Sequence, residues 1–170
     1  MRWLLTMTFL ILSASVARAV DYRWTLISHE EYLSASIENG HAASISIVCA
    51  LPPKDVWGTP RHWKSHVSVF TDQDVGGGPP TLDTVQFIID RKKYSFTRYR
   101  FVRFIWPTSA DVDRELHEFV TALALSNQQT FVVRFPKYKH SDTFSLLDAR
   151  KVLGSGKDFI LGRCENPPQQ

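Results

Sequence analysis

The chain has 170 residues, 44% of them hydrophobic, with 20 Lys+Arg against 17 Asp+Glu and a formal net charge of +3. Arg2 and Arg18 fall in the N-terminal leader, so 18 basic residues face 17 acidic ones in the remainder, and a near-neutral chain carries no nucleic-acid footprint. There is no internal repeat and no long single-sign block, and no apolar stretch near eighteen residues follows the leader, which excludes a mature transmembrane helix.

The first predicted element is that leader. Arg2 supplies a positive start, Trp3 to Val16 is an apolar run, and Ala17-Arg18-Ala19 offers the small-x-small pattern of a signal-peptidase site. The run is short of the roughly twenty apolar residues a bilayer span takes. The expectation is a signal peptide over 1–19, one exported domain over 20–164 and a tail over 165–170. Two cysteines, Cys49 and Cys164, then meet an oxidising compartment, and an even count suggests one disulfide between them. Closing a loop of that length is worth at most roughly 4 to 5 kcal/mol in the chain-entropy model.

Tyr22 to Ser28 reads as a strand with Trp24 and Leu26 on one face. Leu33, Ala35 and Ile37 alternate with polar residues, and after the Asn39-Gly40 turn signal Ala43, Ile45, Ile47 and Cys49 alternate with Ser44, Ser46 and Val48. A three-residue loop pairs Ile37 with Ala43 and Ala35 with Ile45, which keeps one apolar face. Leu51 to Lys64 is a Pro-rich connector carrying Trp57 and Trp63. His66 to Thr71 is a short strand, and Asp72 to Pro80 is a loop centred on Gly76-Gly77-Gly78. Thr84 to Ile89 and Tyr94 to Phe104 form a hairpin around Asp90-Arg91-Lys92, and Pro107 ends it.

Thr108 and Asp111 resemble a capping box. Val112, Leu116, Phe119, Val120 and Leu123 then follow at helical spacing, to Asn127. Phe131 to Phe135 is a buried strand, Pro136 to Asp142 a polar loop, and Phe144 starts a short strand. Leu146 to Leu153 is a helix stopped by Gly154-Ser155-Gly156. The expected class is α+β: mainly antiparallel β-sheet or sandwich, with one packed amphipathic helix and a short C-terminal helix.

Phe144-Ser145-Leu146, the short helix through Val152 and Leu153, and the closing Cys164 resemble the C-terminal pattern of small exported bacterial proteins. These include the invasion-associated locus B family and accessory proteins of type VI secretion. Trp24 and the alternating strand into Cys49 resemble their first cysteine strand. The resemblance implies a periplasmic or secreted, virulence-associated β-rich domain with one disulfide and no known catalytic centre, and it carries over no site residue.

The densest chemistry is Arg91-Lys92-Lys93 followed by Arg98, Arg100 and Arg103 among Tyr94, Phe96, Tyr99, Phe101 and Phe104. On an extended strand Arg98 and Arg100 share a face, and a row of guanidinium groups can grip phosphate or carboxylate. Aromatic neighbours can stack on a ring. Trp57 and Trp63 supply apolar contact area beside them. His62 and His66 have helical metal-ligand spacing, but Pro60 and the extended run after His66 argue against a shared face. His29-Glu30-Glu31 and His117-Glu118 hold acid–base residue types without a visible cleft. No Gly-x-Ser-x-Gly elbow occurs, and the triple glycine lacks the Lys-Ser/Thr of a phosphate loop.

The expectation is therefore a non-enzymatic, periplasmic or secreted binding domain without cofactor or metal. It recognises an envelope or host protein, or an anionic cell-surface component, through Arg98, Arg100, Arg103, Trp57 and Trp63. Two other classes stand beside it. One is an envelope hydrolase with a His–carboxylate pair in a pocket. The other is a structural subunit of an envelope assembly, marked by an exposed sheet edge or apolar patch.

Overall fold

The computed structural model describes residues 22–29, 32–50, 64–71, 82–99, 104–105, 107–154 and 156–165. The predicted leader, Trp57, Trp63, the triple-glycine loop and residues 166–170 of the tail lie outside the described residues. The described strands are β1 (Thr25–His29), β2 (Tyr32–Glu38), β3 (Ser44–Ala50), β4 (Lys64–Phe70), β5 (Leu82–Ile89), β6 (Lys92–Tyr99), β7 (Phe104–Ile105), β8 (Thr130–Phe135) and β9 (His140–Ser145). The helices are α1 (Ala110–Leu125), α2 (Ala149–Leu153) and α3 (Ile160–Glu165). All ladders are antiparallel. They form a five-stranded sheet ordered β1-β2-β3-β4-β7 and a four-stranded sheet ordered β6-β5-β8-β9. The class is the α+β, sheet-rich one that the alternating patterns predict.

Each sheet buries one face because its apolar residues repeat with period two. Ala35, Ile37, Ile45, Ile47, Cys49, Val67 and Val69 line the inner face of the first sheet. Val85, Phe87, Ile89, Phe96, Phe131, Val133 and Phe144 line that of the second. Both rows belong to one core. Helix α1 presents Leu116, Phe119, Val120 and Leu123 to it. The Phe119 ring meets Phe87 at 4.3 Å, Tyr94 at 5.7 Å and Phe96 at 5.9 Å between centroids. Filling that position matters by roughly 3–5 kcal/mol, the usual cost of truncating a buried Phe to Ala.

Three local readings are corrected. The β2–β3 loop is longer than predicted: Glu38 pairs with Ser44, Ile37 with Ile45 and Ala35 with Ile47. The side chain of Asn39 causes this, since its Oδ1 accepts from the His41 and Ala43 backbone N–H groups at 2.9 and 3.3 Å. The shift is two residues, so the apolar face is unchanged. The N-cap of α1 is Ser109, not Thr108; its Oγ accepts from Val112 N at 3.3 Å. Finally, the stretch predicted as a polar loop through Asp142 is only a short 3-10 turn at Pro136–Tyr138, after which β9 begins at His140.

Candidate functional site

Arg98 does not stand on the surface. In β6 the inward positions are Tyr94, Phe96 and Arg98, spaced by two, and the Arg98 side chain is 1% exposed. Its guanidinium donates to the Val69 carbonyl of the other sheet at 2.9 Å and lies 3.4 Å from Asp83 Oδ2. It also sits over the Phe135 ring at 4.6 Å. The predicted solvent-facing Arg98 is thus overturned: the period-two rule that puts Tyr94 and Phe96 inside puts Arg98 inside with them, and Asp83 and a backbone carbonyl compensate its charge. Arg100, Arg103, Trp57 and Trp63, predicted to share its surface, lie outside the described residues.

Three of the described histidines, His66, His117 and His140, have contrasting settings. His66 is buried on β4 against the edge of Phe104, with centroids 4.8 Å apart, and burial pushes its pKa down to about 4. His117 on α1 lies 2.9 Å from the Asp113 carbonyl and 3.6 Å from its carboxylate. It borders an open groove of about 420 Å³ with Lys92, Tyr94 and Arg114. His140 on β9 bonds Oδ2 of the buried Asp142 at 2.8 Å, and the other Asp142 oxygen accepts from Asn39 Nδ2 at 3.1 Å. That last chain of contacts ties the β2–β3 loop of one sheet to β9 of the other. Among the described residues no group of three or more His, Cys, Asp or Glu is placed to hold a metal ion.

The sheet edges differ sharply. Along β6, the Ser95 backbone N–H donates to Glu115 Oε1 at 3.3 Å, and Lys92 pairs with Glu118 at 2.8 Å, so α1 guards that edge. At the end of β9, the Ser145 carbonyl accepts from Trp24 Nε1 at 3.1 Å. Strand β7 is two residues long and packs beside β6. Strand β1 is different. Its five residues are all exposed, it carries no acidic or Lys/Arg side chain, and no described strand pairs with its outer side. Leu26 is 44% and Ile27 50% exposed. Trp24 is buried, and its backbone N–H donates to the Leu147 carbonyl at 3.2 Å. The chain is therefore clamped just before β1 and then leaves the core, which is why Leu26 does not continue the buried face predicted from Trp24.

A cleft of about 500 Å³ opens beside this edge, lined by Tyr22, Arg23, Thr25, Ile27, Ser36 and Ser46 among others. Its floor is a hydroxyl row across the strands. Thr25 faces Ser36, Ser36 faces Ser46 and Ser46 faces Ser68. The Ser36 and Ser46 hydroxyls are 2.9 Å apart. Small side chains there keep the face low, so the exposed groups of β1 stand above it. The sequence signal for this region was the uncharged run Thr25-Leu26-Ile27-Ser28. It shows a strand but not that the strand ends a sheet.

No helix among the described residues is long and apolar enough to cross a membrane. Comparison with known proteins finds no family model, no curated protein and no solved structure that matches the chain.

Proposed function

We propose that this chain is an exported, non-enzymatic binding domain that recognises another protein by strand addition at β1. The observation that carries the reading is the state of that edge: five exposed residues without Asp, Glu, Lys or Arg, whereas β6 is guarded by carboxylates of α1 and β9, the outer strand beyond β8, carries the buried Asp142 and is capped at Ser145 by Trp24. An unguarded edge is an aggregation hazard, and sheets that keep one use it for pairing. In strand addition, main-chain hydrogen bonds supply affinity and neighbouring pockets supply selectivity; the cleft at Thr25 and Ile27 is placed for the second task.

Export rests on the leader pattern and on the resemblance to the locus B and type VI accessory proteins. The Cys49–Cys164 disulfide belongs to the same reading, supported by the packing of α3 against β3 and by the burial of Cys49. Arg100, Arg103, Trp57 and Trp63 remain a second contact surface in this proposal, without Arg98.

The test is a photo-cross-linker at Leu26 in the exported protein, applied to the source envelope. A defined product is expected with the wild-type edge, lost in Ile27→Lys and kept in an Arg100→Glu/Arg103→Glu variant. Capture that survives Ile27→Lys and disappears with the two arginines would move the site off β1.

A further inference from the structure

The geometry points to Asn39 as a site of self-modification: the β2–β3 loop drives cyclisation of the Asn39 carboxamide onto the Gly40 nitrogen, which releases ammonia and leaves an aspartate or isoaspartate at position 39. This site stands apart from the reading of β1, and neither depends on the other.

Each group that the reaction needs is in the loop or against it. The nucleophile is the backbone nitrogen of Gly40, which has no side chain to shield it and a φ of +77°. The Asn39 Oδ1 accepts from the His41 backbone N–H at 2.9 Å. That is an Asx turn, and the ring it closes holds Cγ and the Gly40 nitrogen in one compact unit. Negative charge develops on Oδ1 when the nitrogen attacks. A second backbone donor, the Ala43 N–H at 3.3 Å, converges on the same oxygen, so the pair acts as an oxyanion hole. The departing nitrogen is provided for as well. Asn39 Nδ2 donates to Asp142 Oδ1 at 3.1 Å, and a carboxylate there favours positive charge on that nitrogen as it is protonated to leave. His140 bonds the other carboxylate oxygen at 2.8 Å. Asn39 and Asp142 are both buried, where such interactions are weakly screened.

The steps balance without oxidation or reduction. The Gly40 nitrogen gives its proton to solvent and bonds to Cγ, and the carbonyl electron pair moves onto Oδ1. The pair returns, the Cγ–Nδ2 bond breaks, and Nδ2 takes a proton from solvent and leaves as ammonia. Water then opens the cyclic imide at either carbonyl. Gly40, His41 and Ala42 are exposed, so solvent reaches it. The product sets a carboxylate against Asp142 where an amide donor stood, and like charges sharing a site repel. The tie between the two sheets is thereby lost in one direction only.

The test follows the whole folded chain at neutral pH by peptide mapping, mass spectrometry and enzymatic methylation of isoaspartate. Position 39 should convert on the order of tenfold faster in the native chain than in the same chain unfolded in urea, and Asp142→Asn should slow the native reaction by about the same factor. Asn127, followed by Gln128, is the internal reference and should show no such gain on folding. Asn39→Asp should lower the thermal midpoint, and Asn39→Asp/Asp142→Asn should restore it by exchanging the two partners of the tie. Slower conversion at 39 in the native chain than in the unfolded one means that the contacts protect the amide, and it overturns the site. An unchanged rate in a folded Asp142→Asn does the same. If Asp142→Asn does not fold, as judged by the fluorescence of buried Trp24, the comparison of native with unfolded wild type decides alone.

Discussion

Replacing Arg98 with Met tests the internal placement of the guanidinium most directly. The stem of Met fills similar space, so the change chiefly removes charge and donors. It deletes the bond to the Val69 carbonyl and the pairing with Asp83, whose side chain has no exposed surface. Breaking one partner of a buried pair costs roughly 3–5 kcal/mol, because the other charge is left without compensation. That is a large share of the roughly 5–15 kcal/mol by which domains are stable. At roughly 2–4 °C per kcal/mol for a chain of this size, Tm should fall by about 6–20 °C. The double change Arg98→Met/Asp83→Leu removes both charges and should recover most of the loss. Urea unfolding followed by tryptophan fluorescence measures all three proteins, and phenylglyoxal labelling of the native wild type should leave Arg98 unmodified. A loss under about 0.5 kcal/mol is the signature of an ordinary surface substitution. That result, or ready labelling of Arg98, would refute the internal pair.

Two further outcomes follow from the fold. The neutral His66 ring keeps its proton off down to about pH 4 in the folded state, against 6.5 unexcited by burial, so the unfolded chain binds more protons between those values. The stability it secures is complete above about pH 6.5 and is lost as pH falls to about 4, by roughly 3 kcal/mol. Denaturant titrations of wild type and His66→Gln across that window should diverge by this amount, and parallel curves would show that the ring is not buried. At Gly154, φ is +74° and ψ −173°, a region that is essentially glycine's own, and an added Cβ would sit 2.2 Å from the Asp158 carbonyl oxygen. Gly154→Ala should cost more than about 2 kcal/mol, while Gly156→Ala, with φ +57° and no atom within 4 Å of its Cβ, should cost only about 1. Equal costs in thermal unfolding would contradict the tight approach at Gly154.

Much of this architecture was legible in the chain itself. Period-two runs in β2, β3, β5 and β8 fix which side chains face inward, because a strand alternates its sides whatever it pairs with. The spacing of Leu116, Phe119, Val120 and Leu123 does the same for α1. Even the burial of Arg98 follows from Tyr94 and Phe96 four and two residues earlier; reading arginine as a surface residue by type concealed it.

What the tertiary structure alone decided is neighbourhood. Nothing local to β1 says that it ends a sheet, and nothing local to β6 says that Glu115 and Glu118, some twenty residues away, will cover its edge. Strand order, the partner of Arg98 and the Asn39–Asp142–His140 tie are long-range choices among many pairings of similar local preference. They are settled by which arrangement buries both apolar faces in one core and compensates the charge taken inside.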